Sequence, residues 1–215
     1  PDNQTGNHAT RALGVTLSDT EWVAQIEWDS LTLNGDGTNP LFCLFAAGTT
    51  TTVQSANQDF IGMAVHTTAN GPWQGGISAN YKDGSSSYVS GYSDRIAIAA
   101  STKYYIRLER TADVSVRLSI YSDSFGGTHI SGSPQTSTIP STIGSLNSLI
   151  FVDSQVGGGG GGTYITADNL KVWNDATSST TVYPSLPNGT IFNETDTYKY
   201  FMFDGTDTWN QMVSS

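Results

Sequence analysis

The segment from Tyr104 to Tyr121 constrains the fold most. Tyr104, Ile106 and Leu108 alternate with Tyr105, Arg107 and Glu109. After a turn at Arg110 to Asp113, Val114, Val116, Leu118 and Ile120 alternate with Ser115, Arg117, Ser119 and Tyr121. Successive side chains leave a strand on opposite faces, so each arm has one apolar face and one polar or charged face. Two such arms joined by a short turn predict an antiparallel hairpin lying over a core. The register is fixed as well, because a slip of one residue would drive Arg107, Glu109 and Arg117 inward.

The same alternation recurs. Trp22, Ala24, Ile26 and Trp28 share one parity, opposite Val23, Gln25 and Glu27. Leu41 to Ala47 is apolar on both parities, which predicts a central strand covered on both faces. Further strands are expected at Phe60 to His66 and Leu146 to Val152. Another follows the six glycines Gly157 to Gly162, where Leu170 and Val172 alternate with Asn169, Lys171 and Trp173. No long stretch has helical periodicity, and 23 glycines with only 13% charged residues suit an all-β protein with many turns. A chain of 215 residues can build one sizeable core. The single Cys43 excludes an internal disulfide and sits in an apolar run, as a small buried hydrophobe would. Nine Lys plus Arg against nineteen Asp plus Glu give a net charge of -10, a field that repels phosphate backbones. No apolar run is long enough to span a membrane, so neither nucleic-acid binding nor membrane insertion is expected. Sequons at Asn3, Asn188 and Asn193 fit an extracellular, cell-surface or virion location, and a chain starting at Pro1 without Met reads as processed or cut from a longer one.

The closing strand Y-I-T-A-D-N-L-K-V-W-N and the hairpin KYYIRLERTADVSVRLSIYSD resemble the concanavalin A-like lectin/glucanase superfamily, including laminin G-like domains. The resemblance covers about Ala12 to Asn174 and implies an antiparallel β-sandwich jelly roll of roughly ten to thirteen short strands. The expected organisation is a polar N-terminal arm at 1–11, the jelly roll at 12–176, a Ser/Thr/Pro linker at 177–187 and a C-terminal β-hairpin at 188–215. The last segment resembles hairpins at the ends of phage and viral structural proteins. Its aromatic and apolar load, Tyr198, Tyr200, Phe201, Met202, Phe203 and Trp209, falls on both parities, which predicts self-association or docking to other surface or virion subunits.

For function, the sequence carries four glutamates, Glu21, Glu27, Glu109 and Glu194. It lacks the E-x-D-x-x-E strand of laminarinase-like glycosidases, whose double displacement needs two neighbouring carboxyl groups. His8, His66 and His129 have no zinc spacing, and there is no G-x-S-x-G elbow. The expectation is therefore a non-catalytic protein. The resemblance implies a structural calcium at Asp168; read alone, the residue shares the parity of Leu170 and Val172 and is expected at the sandwich rim, capping a turn through backbone N–H groups, and both readings stay open. Sugar rings stack on aromatic faces while their hydroxyls need polar partners. Trp73, Asn80, Tyr81, Asp83, Tyr88 and Tyr92, in a Gly-, Ser- and Asn-rich stretch from Thr67 to Asp94 that reads as mostly loop, have that composition and are the candidate glycan-binding residues. The reading is an extracellular or virion-surface structural protein that displays a lectin-like jelly roll. The alternatives are a carbohydrate-binding module of a secreted protein and a polysaccharide-degrading enzyme with an unrecognised site.

Overall fold

A computed structural model describes residues 8–33, 41–49, 57–67, 75–84, 86–87, 89, 94–152, 163–175, 191–194, 199–203 and 209–212. The chain divides into two compact units, Pro1–Ser178 and Ser179–Ser215.

In the first unit the strands are β1 (His8–Ala12), β2 (Trp22–Leu33), β3 (Leu41–Ala46), β4 (Phe60–Thr67), β5 (Gly75–Lys82), β6 (Ile96–Ile98), β7 (Thr102–Ala112), β8 (Ser115–Tyr121), β9 (Gln135–Thr138), β10 (Ser148–Val152) and β11 (Thr163–Asn174). They form two antiparallel sheets, one ordered β1-β10-β3-β4-β5-β6 and the other β11-β2-β7-β8-β9. The fold is an all-β antiparallel sandwich of jelly-roll type, with no helix among its named elements.

One core lies between the sheets. From the five-stranded sheet come Trp22, Ala24, Ile26, Trp28, Ile106, Leu108, Val116, Leu118 and Ile120, the parity the alternation assigns to the interior. Leu108 faces Leu118 across the β7–β8 ladder, and Leu170 and Val172 pack on the same core. From the six-stranded sheet come Cys43, Phe45, Ile61, Met63, Val65, Ile77 and Ile96. Leu44, Ala46, Phe60, Ala64 and Ile150 form a second buried cluster on the opposite parity of that sheet. β3 is thus covered on both faces, as its unbroken apolar run requires.

β3 and β4 are irregular where they cross. Phe42 faces Met63 and Phe45 faces Ile61, so Cys43 and Leu44 both oppose Gly62. Cys43 takes up the extra residue with φ +51°. Any Cβ on Gly62 would lie 2.9 Å from the Leu44 Cα, so the bulge needs a glycine opposite it.

Several expectations are corrected. Val114 is 41% exposed, because the β7–β8 turn reaches it, and the inward set of β8 begins at Val116. The polar stretch expected to be a loose arm contributes β1, whose backbone pairs with β10. The Gly- and Ser-rich stretch expected to be loop contains β5, a period-two strand whose glycines Gly75 and Gly76 conceal the pattern. Leu146 and Asn147 precede β10 rather than opening it.

The second unit forms a three-stranded antiparallel sheet of β12 (Ile191–Glu194), β13 (Lys199–Phe203) and β14 (Trp209–Met212), in the order β12-β13-β14. The hairpin expected here is a meander of three strands.

Candidate functional site

Trp73, Tyr88 and Tyr92 lie outside the described residues. Asn80 and Tyr81 sit on β5 with opposite fates. Tyr81 turns inward and packs against the core, half-buried. Asn80 is fully buried, its amide donating to the Ser78 carbonyl (2.9 Å) and hydroxyl (3.2 Å), so it does not stand at the surface as a sugar partner. Asp83 follows β5 and its Oδ2 accepts from the Thr142 hydroxyl at 2.6 Å. Asp59 lies nearby, accepting from Gly84 N (2.7 Å) and Gly144 N (3.0 Å), so this end of the sandwich is laced by carboxylates to a hydroxyl and two backbone N–H groups. Of the candidate assembly residues, Tyr198 lies outside the described residues, Tyr200, Phe201, Met202 and Phe203 belong to β13, and Trp209 opens β14.

Beside Asn80, the same face of β4 and β5 brings His66 Nε2 to 2.6 Å from Ser78 Oγ. That is the separation at which an imidazole can activate a hydroxyl. Both residues have 0% exposure, so the hydroxyl has no path to a substrate as placed, and the pair serves as a satisfied polar network in the sheet.

Asp168 shares a parity with Leu170 and Val172 in sequence, but a bulge removes the conflict. Asp168 faces Glu27 across the β11–β2 ladder while Lys171 faces Gln25, so Asn169 and Leu170 together oppose Ile26. Asn169, at φ +53°, absorbs the difference. Asp168 therefore stands exposed on the outer face, within the strand rather than at the rim. Its Oδ1 accepts from Asn169 N at 2.7 Å, the local capping role. Calcium takes six to eight oxygen ligands. Glu27, the nearest acid in register, is held by Lys103 at 2.5 Å, and no group of three His, Cys, Asp or Glu gathers among the described residues. The described donor set does not fit calcium.

The outer face of the five-stranded sheet holds a different assembly, which the hairpin's charged parity pointed to without revealing its contacts. Tyr105 and Tyr121 are cross-strand partners. The loop after β8 folds back over them. Phe125 meets Tyr105 edge-on, ring centroids 5.3 Å apart, and His129 lies over Tyr121 at 4.4 Å. Asp123 holds the loop, accepting from Ser124 N (2.8 Å), Thr128 N (2.9 Å) and the Thr128 hydroxyl (3.0 Å). The Thr128 and Ser124 backbone N–H groups keep its carboxyl below the usual aspartate range. His129 Nδ1 is fixed 2.9 Å from Ser133 Oγ, and that hydroxyl oxygen accepts from Ile120 N.

Charged groups flank this row of rings. Lys103 pairs with Glu27 and lies 5.2 Å from the Tyr105 ring centroid; the pairing lowers the Glu27 carboxyl and raises the Lys103 amine from their ordinary values. Arg107 stacks on Tyr121 at 5.4 Å. Gln25, oriented with its oxygen toward Arg107, accepts from Nη2 at 3.0 Å and Nε at 3.1 Å. Farther along, Arg117 Nε donates to Glu109 Oε1 at 2.5 Å.

No protein-family model matches the chain, and no curated protein matches it in sequence. Solved structures similar to it include a homodimeric agglutinin from chicken liver, at 8% identity over 78% of this chain and 100% of that one, TM-score 0.43. Sheep galectin-11 with glycerol is similar at 12% identity over 78% and 98%, TM-score 0.41. An alginate lyase variant bound to an alginate tetrasaccharide is similar at 12% identity over 79% and 80%, TM-score 0.44. Likeness at this level carries nothing about function.

Proposed function

We propose that the chain is a non-catalytic, glycan-binding β-sandwich of an extracellular or particle-surface protein. The observation that carries this reading is the set of half-buried rings Tyr105 and Phe125 and the exposed His129, packed over the buried Tyr121 and flanked by the fixed polar groups Gln25, Arg107, Glu27 and Lys103. Sugars are bound by such pairings of ring faces with preset donors and acceptors. The acids of this face support a binding role over hydrolysis, since Glu27 is engaged by Lys103 and Glu109 lies buried against Arg117. The test is an NMR titration of the intact chain with a panel of neutral and acidic oligosaccharides. Shifts centred on Tyr105, Phe125 and His129, weakened by Tyr105→Ala, are expected. A panel that shifts nothing on this face would overturn the reading.

A structural-subunit reading is compatible with it and has its own support in the separate unit Ser179–Ser215 with its three-stranded sheet. A two-stranded hairpin is marginal alone and three strands with a hydrophobic face are the least that stand by themselves, so a sheet this small gains from a partner surface. Deleting residues 179–215 should leave a folded sandwich that no longer associates; a full-length chain that stays monomeric at high concentration would refute the assembly role.

A further inference from the structure

Among the described cations of the five-stranded sheet's outer face, Arg107 is the one with its guanidinium fixed and no acid attached. Lys103 is paired with Glu27 and Arg117 with Glu109. Arg107 is only 8% exposed, yet no carboxylate lies within ion-pair distance of it among the described residues. It is held by a neutral amide and an aromatic ring instead. Of the five N–H donors on a guanidinium, Gln25 takes two, and no nitrogen of Arg107 is both buried and unpartnered among the described residues. Gln25 and Tyr121 fix the fork's orientation, which lowers the entropy lost when an anion docks.

We propose that this face selects a carboxylate-bearing sugar, with Arg107 as the group that takes the carboxylate. The proposal rests on the glycan-binding reading above and names the class of sugar. A planar carboxylate matches the planar fork, and the adjoining rings of Tyr105 and His129 accept the face of the pyranose. The net charge of -10 opposes an acidic ligand at long range. That field is screened over about 8 Å at physiological salt, so contact chemistry decides. The acids on this face do not compete for Arg107. Glu27 and Glu109 are matched, Asp168 and Asp29 stand across from Glu27 and Lys103, and Asp123 turns into its own loop.

The test uses trigalacturonate and its methyl ester, the same sugar with its charge removed, against the full chain by NMR and calorimetry. Trigalacturonate should bind about ten- to a hundredfold more tightly than the ester, the span expected for charge-assisted hydrogen bonds. Arg107→Gln should erase that preference while ester binding persists. Arg107→Lys, which keeps the charge but not the fork, should restore only part of it and guards against misfolding of the glutamine variant. Equal binding of acid and ester to the wild-type chain overturns the carboxylate proposal and leaves the glycan-binding reading standing. So does a preference that survives in folded Arg107→Gln. If neither sugar binds, and the neutral members of the panel do not either, the broader reading fails with it.

Discussion

Replacing Arg117 by alanine removes the cation that covers Glu109. The Glu109 side chain is 1% exposed, its Oε1 lies 2.5 Å from Arg117 Nε, and its Oε2 is buried without a hydrogen-bond partner among the described residues. Breaking a fully buried pair by removing one member costs about 3–5 kcal/mol, while an exposed pair is worth about 0–1 kcal/mol. Arg117 is 35% exposed, so its loss also opens a path for water to Glu109 and offsets part of the cost. The expected destabilisation is therefore intermediate, about 2 kcal/mol. The neighbouring Leu118, at 0% exposure in the core, should cost about 2–5 kcal/mol when cut to alanine. Urea denaturation at unchanged m-value measures both. A double-mutant cycle with Glu109→Gln isolates the charge: in that background Arg117→Ala should cost at least about 1 kcal/mol less. An Arg117→Ala variant within about 0.5 kcal/mol of wild type, the range of an ordinary surface change, or a cycle without coupling would refute a buried, charge-dependent pair.

Gly62→Ala should destabilise by about 1–3 kcal/mol, because the new Cβ meets the Leu44 backbone at the β3–β4 bulge; an unchanged urea midpoint would show that the bulge yields freely. Asp123 has a depressed folded-state pKa, so the stability it lends is full above the unfolded aspartate value, about 3.9, and is lost as pH falls through its lower folded value. The Thr128 amide resonance should report that titration, and a midpoint at or above the ordinary value would contradict the loop geometry. Chelator should leave the melting temperature unchanged, because the described residues around Asp168 do not assemble a calcium shell; a drop would show that one exists.

What the sequence determined by itself was the face of each strand. Period-two alternation is local, so Trp22 to Trp28 and Tyr104 to Ile120 state their inward sets without knowing their partners, and the core follows them. The apolar run of β3 likewise announced two covered faces. Irregularities were invisible, because a bulge is decided between two strands: the slip at Asn169 puts Asp168 outside, and the one at Cys43 makes Gly62 necessary. The weakly patterned strands β1 and β5 took their places from ladder partners rather than from their own composition. The outward charges of the hairpin were legible as polar, but Glu109 packs there against Arg117, and Arg107 against Gln25 and Tyr121. Only the fold could set Arg107 against Gln25 and Tyr121, residues 82 and 14 positions away in the chain, because such contacts come from register between strands and not from spacing along one.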